Sequence, residues 1–360
     1  EMIGIFGVFQ VLANNTFLTD ANINNLFLQS CTYAIIGCSM VFVMVIGGID
    51  LSAGATLGFL CTFAASLQVN LKMGTAETVI ITILAGILIG CWNGYWISFR
   101  HMPAFIVTLA GMNLFKGLTL LLGKGISVGP VSKSLAAFGK DFLPKEGGYV
   151  FLALSLAAVF FAIFGARRSK ISYNFKVPSK TVDIAKCLVI FAAILAIGSL
   201  LMGYLGVPIA VVILTVLAVI FTFLGSNTPF GRSVYAIGNN LDAAALSGIN
   251  IKWVTFKVYV LHGLVVAIAS LVYLGRIGQA SATTGTGFEF SAITGCILGG
   301  TSTLGGSGTI IGAIIGTVIM ASLDNGMSLM NMGTTYQYLI KGFVLIMAVY
   351  LDIASKRKKQ

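Results

Sequence analysis

An all-α bundle of about 10–12 membrane-crossing helices is the fold this sequence predicts, and three observations predict it. Hydrophobic residues make up 57% of the 360-residue chain and charged residues only 9%, against about 25% charged in an ordinary soluble domain. The mean hydropathy is +0.97. Apolar runs of about 17–25 residues recur along the whole length, the helix length that a hydrocarbon core about 30 Å thick requires. The alternation over about ten residues that marks a transmembrane barrel does not occur in the sequence. A single transmembrane domain over residues 1–360 is expected, because no loop exceeds about 26 residues, too few for a folded soluble domain.

Hydropathy read together with helix breakers predicts spans at 1–13, 30–47, 52–69, 76–98, 103–122, 149–165, 187–203, 208–225, 253–274, 291–304, 309–328 and 337–353. The first is too short to cross a bilayer and opens at Glu1, so we expect the natural chain to begin upstream. Two interruptions separate neighbouring spans. At Gly47-Gly48-Ile49-Asp50-Leu51-Ser52 a glycine pair unwinds the helix, and the oxygens of Asp50 or Ser52 are expected to cap the helix that follows. The segment Gly299-Gly300-Thr301-Ser302, followed by Gly305, Gly306 and Gly308, repeats the theme, so the broken helices fall near Gly47–Ser52 and Gly299–Gly308. Paired interruptions of this kind point to a substrate route in transporters.

The net charge of +11 sits in loops rather than on one face, which speaks for membrane orientation and against nucleic acid. The loop 166–186 holds Arg167, Arg168, Lys170, Lys176, Lys180 and Lys186 against one acid, Asp183, and the chain ends Lys356-Arg357-Lys358-Lys359. The positive-inside rule places both in the cytoplasm. Counting spans from there puts Arg100-His101 and the loop 226–252 on the same side. Loops 14–29 and 123–148 then face outward, although Lys124, Lys133, Lys140 and Lys145 make the second a poor fit to the rule. Six cysteines, Cys31, Cys38, Cys61, Cys91, Cys187 and Cys296, lack metal-ligand spacing and read as reduced packing residues. Glycines at spacing four (Gly86, Gly90, Gly94; Gly295, Gly299; Gly308, Gly312, Gly316) predict close helix packing.

The loop 226–252 carries a short helix signal. Asn240 is suited to cap its N-terminus, and Gly248 can supply the left-handed residue that ends it after about two turns. Leu241, Ala245 and Gly248/Ile249 then share one face, a small apolar stripe fit for a groove on a partner. The competing reading is a helix resting on lipid headgroups, but the segment has neither aromatic anchors nor a basic polar face.

At membrane depth the sequence places Asp50, Asn93, Asn113, His262, Glu289, Asp324, Asn325 and Gln337. An intramembrane acid is costly unless partnered or wetted, so Asp50 is a functional candidate; the plainer reading makes it a helix cap. Neutral amides and hydroxyls suit a sugar better than ions do, and the candidate translocation path comprises Asp50, Ser52, Asn93, Thr301, Ser302 and Asn325. His262, without a second ligand or a carboxylate at metal spacing, reads as a packing residue. No metal site is expected. No Gly-x-x-x-x-Gly-Lys-Ser/Thr occurs, since Gly123-Lys124 runs into Gly125 and residues 299–308 contain no lysine, so no ATP cradle is expected on this chain. Two histidines, neither near a nucleophile, give no basis for hydrolysis, and no enzyme activity of its own is expected.

Asp242, Ala243, Ala244 and Gly248 reproduce the Asp/Glu-Ala-Ala, three residues, Gly pattern of membrane subunits in ATP-driven transporters. Together with Gly231-Arg232 upstream, this loop closely resembles that of the permease family that imports ribose, xylose, arabinose and related sugars with ATP-binding-cassette ATPases. The resemblance extends to Gly47–Ser52 with Gly54, to Pro103-Ala104-Phe105-Ile106-Val107-Thr108-Leu109, to Gly299–Ser302 with Gly305, Gly306 and Gly308, and to Asp324-Asn325-Gly326. It covers nearly the whole chain. About 45 residues within 149–203 depart from shorter ribose-type members, which points to the longer xylose and multiple-sugar members. The resemblance implies a subunit in the bacterial cytoplasmic membrane that moves a monosaccharide delivered by an extracytoplasmic sugar-binding protein. It implies a second permease copy in a membrane-lipid setting, and an ABC ATPase partner that carries the ATP and Mg; this chain binds no cofactor. Gly231, Arg232, Asn240, Asp242, Ala243, Ala244 and Gly248 are the residues it implies for coupling. Three alternatives stay open: a carrier driven by ions at Asp50, Glu289 or Asp324, the same pump with nucleosides or branched-chain amino acids as cargo, and a non-transporting scaffold.

Overall fold

The computed structural model describes residues 2–357 apart from 173, 174, 176 and 178. Helices account for most of it: α1 (Met2–Leu12), α2 (Asp20–Val45), α3 (Ala53–Val69), α4 (Thr75–Ser98), α5 (Ala104–Gly123), α6 (Lys133–Lys140), α7 (Lys145–Ser172), α8 (Lys180–Gly203), α9 (Ile209–Asn227), α10 (Pro229–Asn239), α11 (Leu241–Leu246), α12 (Ile251–Ile277), α13 (Phe288–Leu298), α14 (Ile310–Leu329) and α15 (Thr334–Arg357). Among the described residues nine helices are long and apolar enough to cross a membrane, namely α2, α4, α5, α7, α8, α9, α12, α14 and α15. The apolar α1, α3 and α13 are shorter. Each of the twelve spans expected from hydropathy corresponds to one of these apolar helices.

Helices α2 and α12 form the centre. Within their most apolar windows 83% and 72% of residues are buried, against 6% for α7 and α15, which lie at the periphery. Glycine seams hold the centre together. A Cβ on Gly90 of α4 would stand 2.5 Å from the carbonyl oxygen of Tyr259, and one on Gly86 2.5 Å from the Ala267 methyl, so the two backbones touch along α12. Gly295 of α13 and Gly299, which caps it, meet Gly316 and Gly312 of α14 in the same way. Missing side chains supply the contact that lipid does not drive. Gly308 departs from the expected seam, because it lies before α14 and packs on the Thr301 side chain.

Several boundaries differ from the sequence expectation, each for a physical reason. Residues 20–29 are helical rather than part of a loop 14–29. Asp20 sits in the first turn, where the helix dipole favours an acid, and Asn24 Nδ2 donates to its carbonyl at 3.2 Å. Asn25 accepts from Arg276 at 3.1 Å, so tertiary contacts order a turn that hydropathy scores as polar. The loop 123–148 contains α6, whose N-cap Ser132 accepts from the Leu135 amide. The basic loop 166–186 shrinks to 173–179, because Arg167 and Arg168 fall in the closing part of α7, where cations suit the dipole, and Arg167 pairs with Asp183 of α8. Lys176, Lys358 and Lys359 lie outside the described residues, as do the side chains of Lys170, Lys356 and Arg357. Residues 299–304 are loop rather than helix. Five of the cysteines are buried and Cys91 is half-buried, all of them free.

Candidate functional site

Local capping builds the end of the bundle that carries α10 and α11. Thr228 accepts from the Gly231 amide at 3.1 Å, and Pro229 takes the first helical position, where its missing N–H costs nothing. Asn240 Oδ1 accepts from the Ala243 amide at 2.9 Å, and Gly248, at φ +79°, supplies the left-handed residue that closes α11. The expected short helix is therefore present. Arg232, Asp242, Ala243 and Gly248 are exposed, whereas Gly231 and Ala244 face inward. Leu241 and Leu246 stand out at 54% and 90% exposure, an apolar surface too prominent to be ornament on a six-residue helix. Helix α10, which the sequence reading leaves within a loop, is the platform under this knob.

Both helix interruptions meet that platform. After α2, Gly47 reverses the chain at φ +81°, a conformation that only glycine adopts freely. The Gly306 amide donates to the Val45 carbonyl at 2.9 Å. A Cβ on Gly238 of α10 would collide with that carbonyl, and one on Gly306 would come within 2.7 Å of Asn239 Oδ1. Tyr235 donates its hydroxyl to the Gly308 carbonyl at 2.8 Å, and burial pushes its phenol above the usual range, which keeps the donor protonated. Thr301 and Ser302 are fully buried. Ser302 ties the loop locally, its amide donating to Ser307 O at 2.8 Å and its hydroxyl accepting from Leu304 N at 3.0 Å. Asp352 of α15 accepts from the amide and hydroxyl of Thr303, which brings the end of α15 to the same face.

From Gly48 the chain turns back into the bundle and delivers Asp50, 2% exposed, to its centre. The expected cap does not form: Ser52 holds the N-cap position of α3 without a side-chain cap bond. Instead Asp50 Oδ1 accepts from the Ser52 amide at 2.7 Å and from its hydroxyl at 2.6 Å. Asn93 of α4 donates to Ser52 Oγ at 3.3 Å. His262, read from sequence as a packing residue without a carboxylate at metal spacing, points Nε2 at Asp50 Oδ2 across 3.5 Å, while Nδ1 lies 2.8 Å from Ser39 Oγ of α2. Asp50, Ser52, Asn93, His262, Ser39 and Tyr259 thus form one buried polar cluster, two of whose members the sequence reading named as path residues alongside Ser52. The cavity among them is about 10 Å³, room for a water and not for a sugar ring.

A third irregular segment carries no signature in the hydropathy. Between α12 and α13 the loop 281–287 enters the bundle, its Thr284 and Gly285 carbonyls lying on Gly58 and Gly54 of α3. Gly58 is 11 residues short of Val69, so the loop descends about 17 Å below the end of α3. Glu289, 4% exposed, lies against Gly54, so the first turns of the two short helices meet inside the bundle. Thr283 and Thr286 of the loop remain exposed, as do Asn113 and Lys116 midway along α5. Asn113 donates only to its own helix, at Leu109 O. The serine, threonine and glycine run of 281–287 was the available signal.

Asn325 lies elsewhere. It exchanges two amide hydrogen bonds with Asn22, at 2.8 and 3.0 Å, and α2 separates Asn22 from Val45 by 23 residues, about 35 Å. Beside it, Asp324 accepts from Tyr33 at 3.0 Å and pairs with Lys341 at 3.0 Å. Among the described residues no group of three or more His, Cys, Asp or Glu could hold a metal ion.

Comparison with known proteins adds to this geometry. Residues 22–349 match the family model described as branched-chain amino acid transport system, permease component. The chain is 39% identical to the xylose transport system permease protein of Escherichia coli (strain K12) over 99% of its own length and 91% of the relative's. It is 38% identical to the xylose transport system permease protein of Haemophilus influenzae, over 98% and 94%. To the ribose import permease protein of Bacillus subtilis it is 32% identical, over 95% and 87%. No solved structure matches.

Proposed function

The chain belongs to this family of transport-system permease components, and from that premise we propose that it is the membrane subunit of an ATP-driven importer that carries a monosaccharide, a pentose or hexose, into a bacterium. The identity to xylose permeases supports a pentose of that type as cargo. The observation that carries the reading is the knob: a capped helix with exposed Leu241 and Leu246, seated on a platform that is hydrogen-bonded to one helix interruption and packed against the end of α2 beside the other.

In this reading a separate ABC ATPase, with its own ATP and Mg, grips α11 and α10 through Gly231, Arg232, Asn240, Asp242, Ala243, Ala244 and Gly248. Its movement shifts the bundle between two packings, as coupling requires differential contact with two states. The segments about Asp50, Ser52 and Asn93 and about Thr301 and Ser302 border the inner part of the sugar path, and Asn325 the opposite end. A sugar-binding protein delivers its ligand to that opposite end. A second copy of the chain completes the path: exposed Lys116 and Asn113 in a membrane span, and exposed Thr283 and Thr286 in the loop 281–287, need water or protein over them. The subunit lies in the cytoplasmic membrane with α10, α11 and the end of α15 in the cytoplasm.

The test is reconstitution in lipid vesicles with an ABC ATPase and a sugar-binding protein of the same import system. Sugar uptake that requires all three proteins and ATP is the expected result. Uptake by the chain alone, or uptake abolished by an uncoupler and indifferent to ATP, would replace the reading with an ion-driven carrier. Uptake of a nucleoside or branched-chain amino acid in place of sugar would change the cargo only.

A further inference from the structure

The hydrogen bonds around Asp50 leave two acceptors facing each other. Ser39 Oγ lies 3.1 Å from the Ile36 carbonyl and 2.8 Å from His262 Nδ1; with its one proton donated to that carbonyl, its lone pair accepts from Nδ1–H. In that tautomer the ring presents a bare Nε2 to Asp50 Oδ2 at 3.5 Å. On the other side of the carboxylate, Asn93 spends its Nδ2 on Ser52 Oγ, which leaves its Oδ1 as a further acceptor. His262 Nε2, Asn93 Oδ1, Tyr259 Oη and Thr56 Oγ1 are all buried without a hydrogen-bond partner in the protein. All four residues, with Asp50, line the cavity of about 10 Å³. That is about the volume a single water needs, and a buried water is stable with two to four polar partners.

We propose that this cavity is a binding site for one water molecule. The water donates to His262 Nε2 and to a second acceptor, Asp50 Oδ2 or Asn93 Oδ1, and accepts from the Tyr259 hydroxyl. It satisfies groups that would otherwise cost stability at membrane depth. Through it the segment that follows α2 is bonded to α4 and to α12, the helix that follows the knob after residues 247–250. A shift of α12 against that segment breaks the bonds of the water.

The chain contains two histidines. Replacing the exposed His101, whose φ of +54° asparagine tolerates, gives His101→Asn with His262 as the sole imidazole. Nitrogen spectra of isotope-labelled histidine in this chain, in lipid bilayers near neutral pH, are expected to show a protonated Nδ1 and a bare Nε2, with magnetisation passing from water protons to Nε2. A doubly protonated ring, a proton on Nε2, or a bare Nε2 out of contact with water would overturn the proposal. In a second variant, Asp50→Asn, an amide donor facing Nε2 can bond it directly, and the water signal at Nε2 should be lost while Nδ1 stays protonated. An undiminished water signal there would count against the assigned geometry.

Discussion

The backbone amide of Gly306 donates to the carbonyl of Val45 at 2.9 Å, fastening the loop before α14 to the end of α2. Gly238 of α10 lies on the same carbonyl with no room for a side chain. Three segments far apart in sequence are therefore closed on one backbone group. Gly238→Val is expected to force them apart, at a cost of about 1–3 kcal/mol for overpacking. A lower melting temperature of the purified subunit, together with reduced uptake, would bear this out; an unchanged melting curve would mean the junction is loose.

Gly248 tests the knob separately from the fold. Nothing lies within 4 Å of a Cβ built there, yet φ is +79°. A bulky residue meets only backbone strain of about 1–2 kcal/mol inside the subunit and projects toward whatever grips α11. Gly248→Phe should leave the protein folded and hydrolysis by the partner ATPase detectable while abolishing sugar uptake. Gly248→Asn, which tolerates the left-handed conformation, should retain uptake. Normal uptake in the phenylalanine variant would remove α11 from the coupling route.

Glycines of the α4–α12 seam should behave unlike glycines on open faces. Gly90→Ala puts a methyl 2.5 Å from the Tyr259 carbonyl, whereas Gly117→Ala on α5 meets nothing. The first is expected to destabilise by about 1–3 kcal/mol and the second to stay within about 0.5 kcal/mol. Thermal unfolding of the two variants in the same detergent makes the comparison.

The reciprocal amides of Asn22 and Asn325 invite a double-mutant cycle. Hydrogen bonds between membrane helices couple by about 0.6 kcal/mol, and the two bonds here, 2.8 and 3.0 Å, should give roughly that or somewhat more. Additive losses in Asn22→Ala and Asn325→Ala would show that the pair is a bystander to stability.

The sequence disclosed whatever contiguous residues encode. Each apolar run found its helix, Asn240 and Gly248 bounded α11, and glycines at spacing four found close partners, because caps, length and periodicity are local properties. Hydropathy failed where polar residues are ordered by distant partners. The first turns of α2 are held by Asn22 and Asn25 through bonds that no window of neighbours reveals. The segment 281–287 reads as an ordinary polar connection, although glycines of α3 draw it into the bundle. His262 seemed solitary because Asp50 reaches it only after a reversal at Gly47. Pairing across such a separation is a property of the folded chain, and Asp50 was identifiable as a costly acid without its partner being identifiable at all.

Four residues, 247–250, separate α11 from α12, an unbroken helix of 27 residues. At 1.5 Å per residue that run is a rod about 40 Å long. Seated on so short a tether, the rod acts as a lever arm whose foot is the knob: a tilt of about 5° at the base displaces the far tip by roughly 3–4 Å over that length. The tip carries Arg276 and leads into the segment that descends toward α3. A modest stroke at one surface is thus delivered, without any relay of side chains, to the irregular backbone near the other.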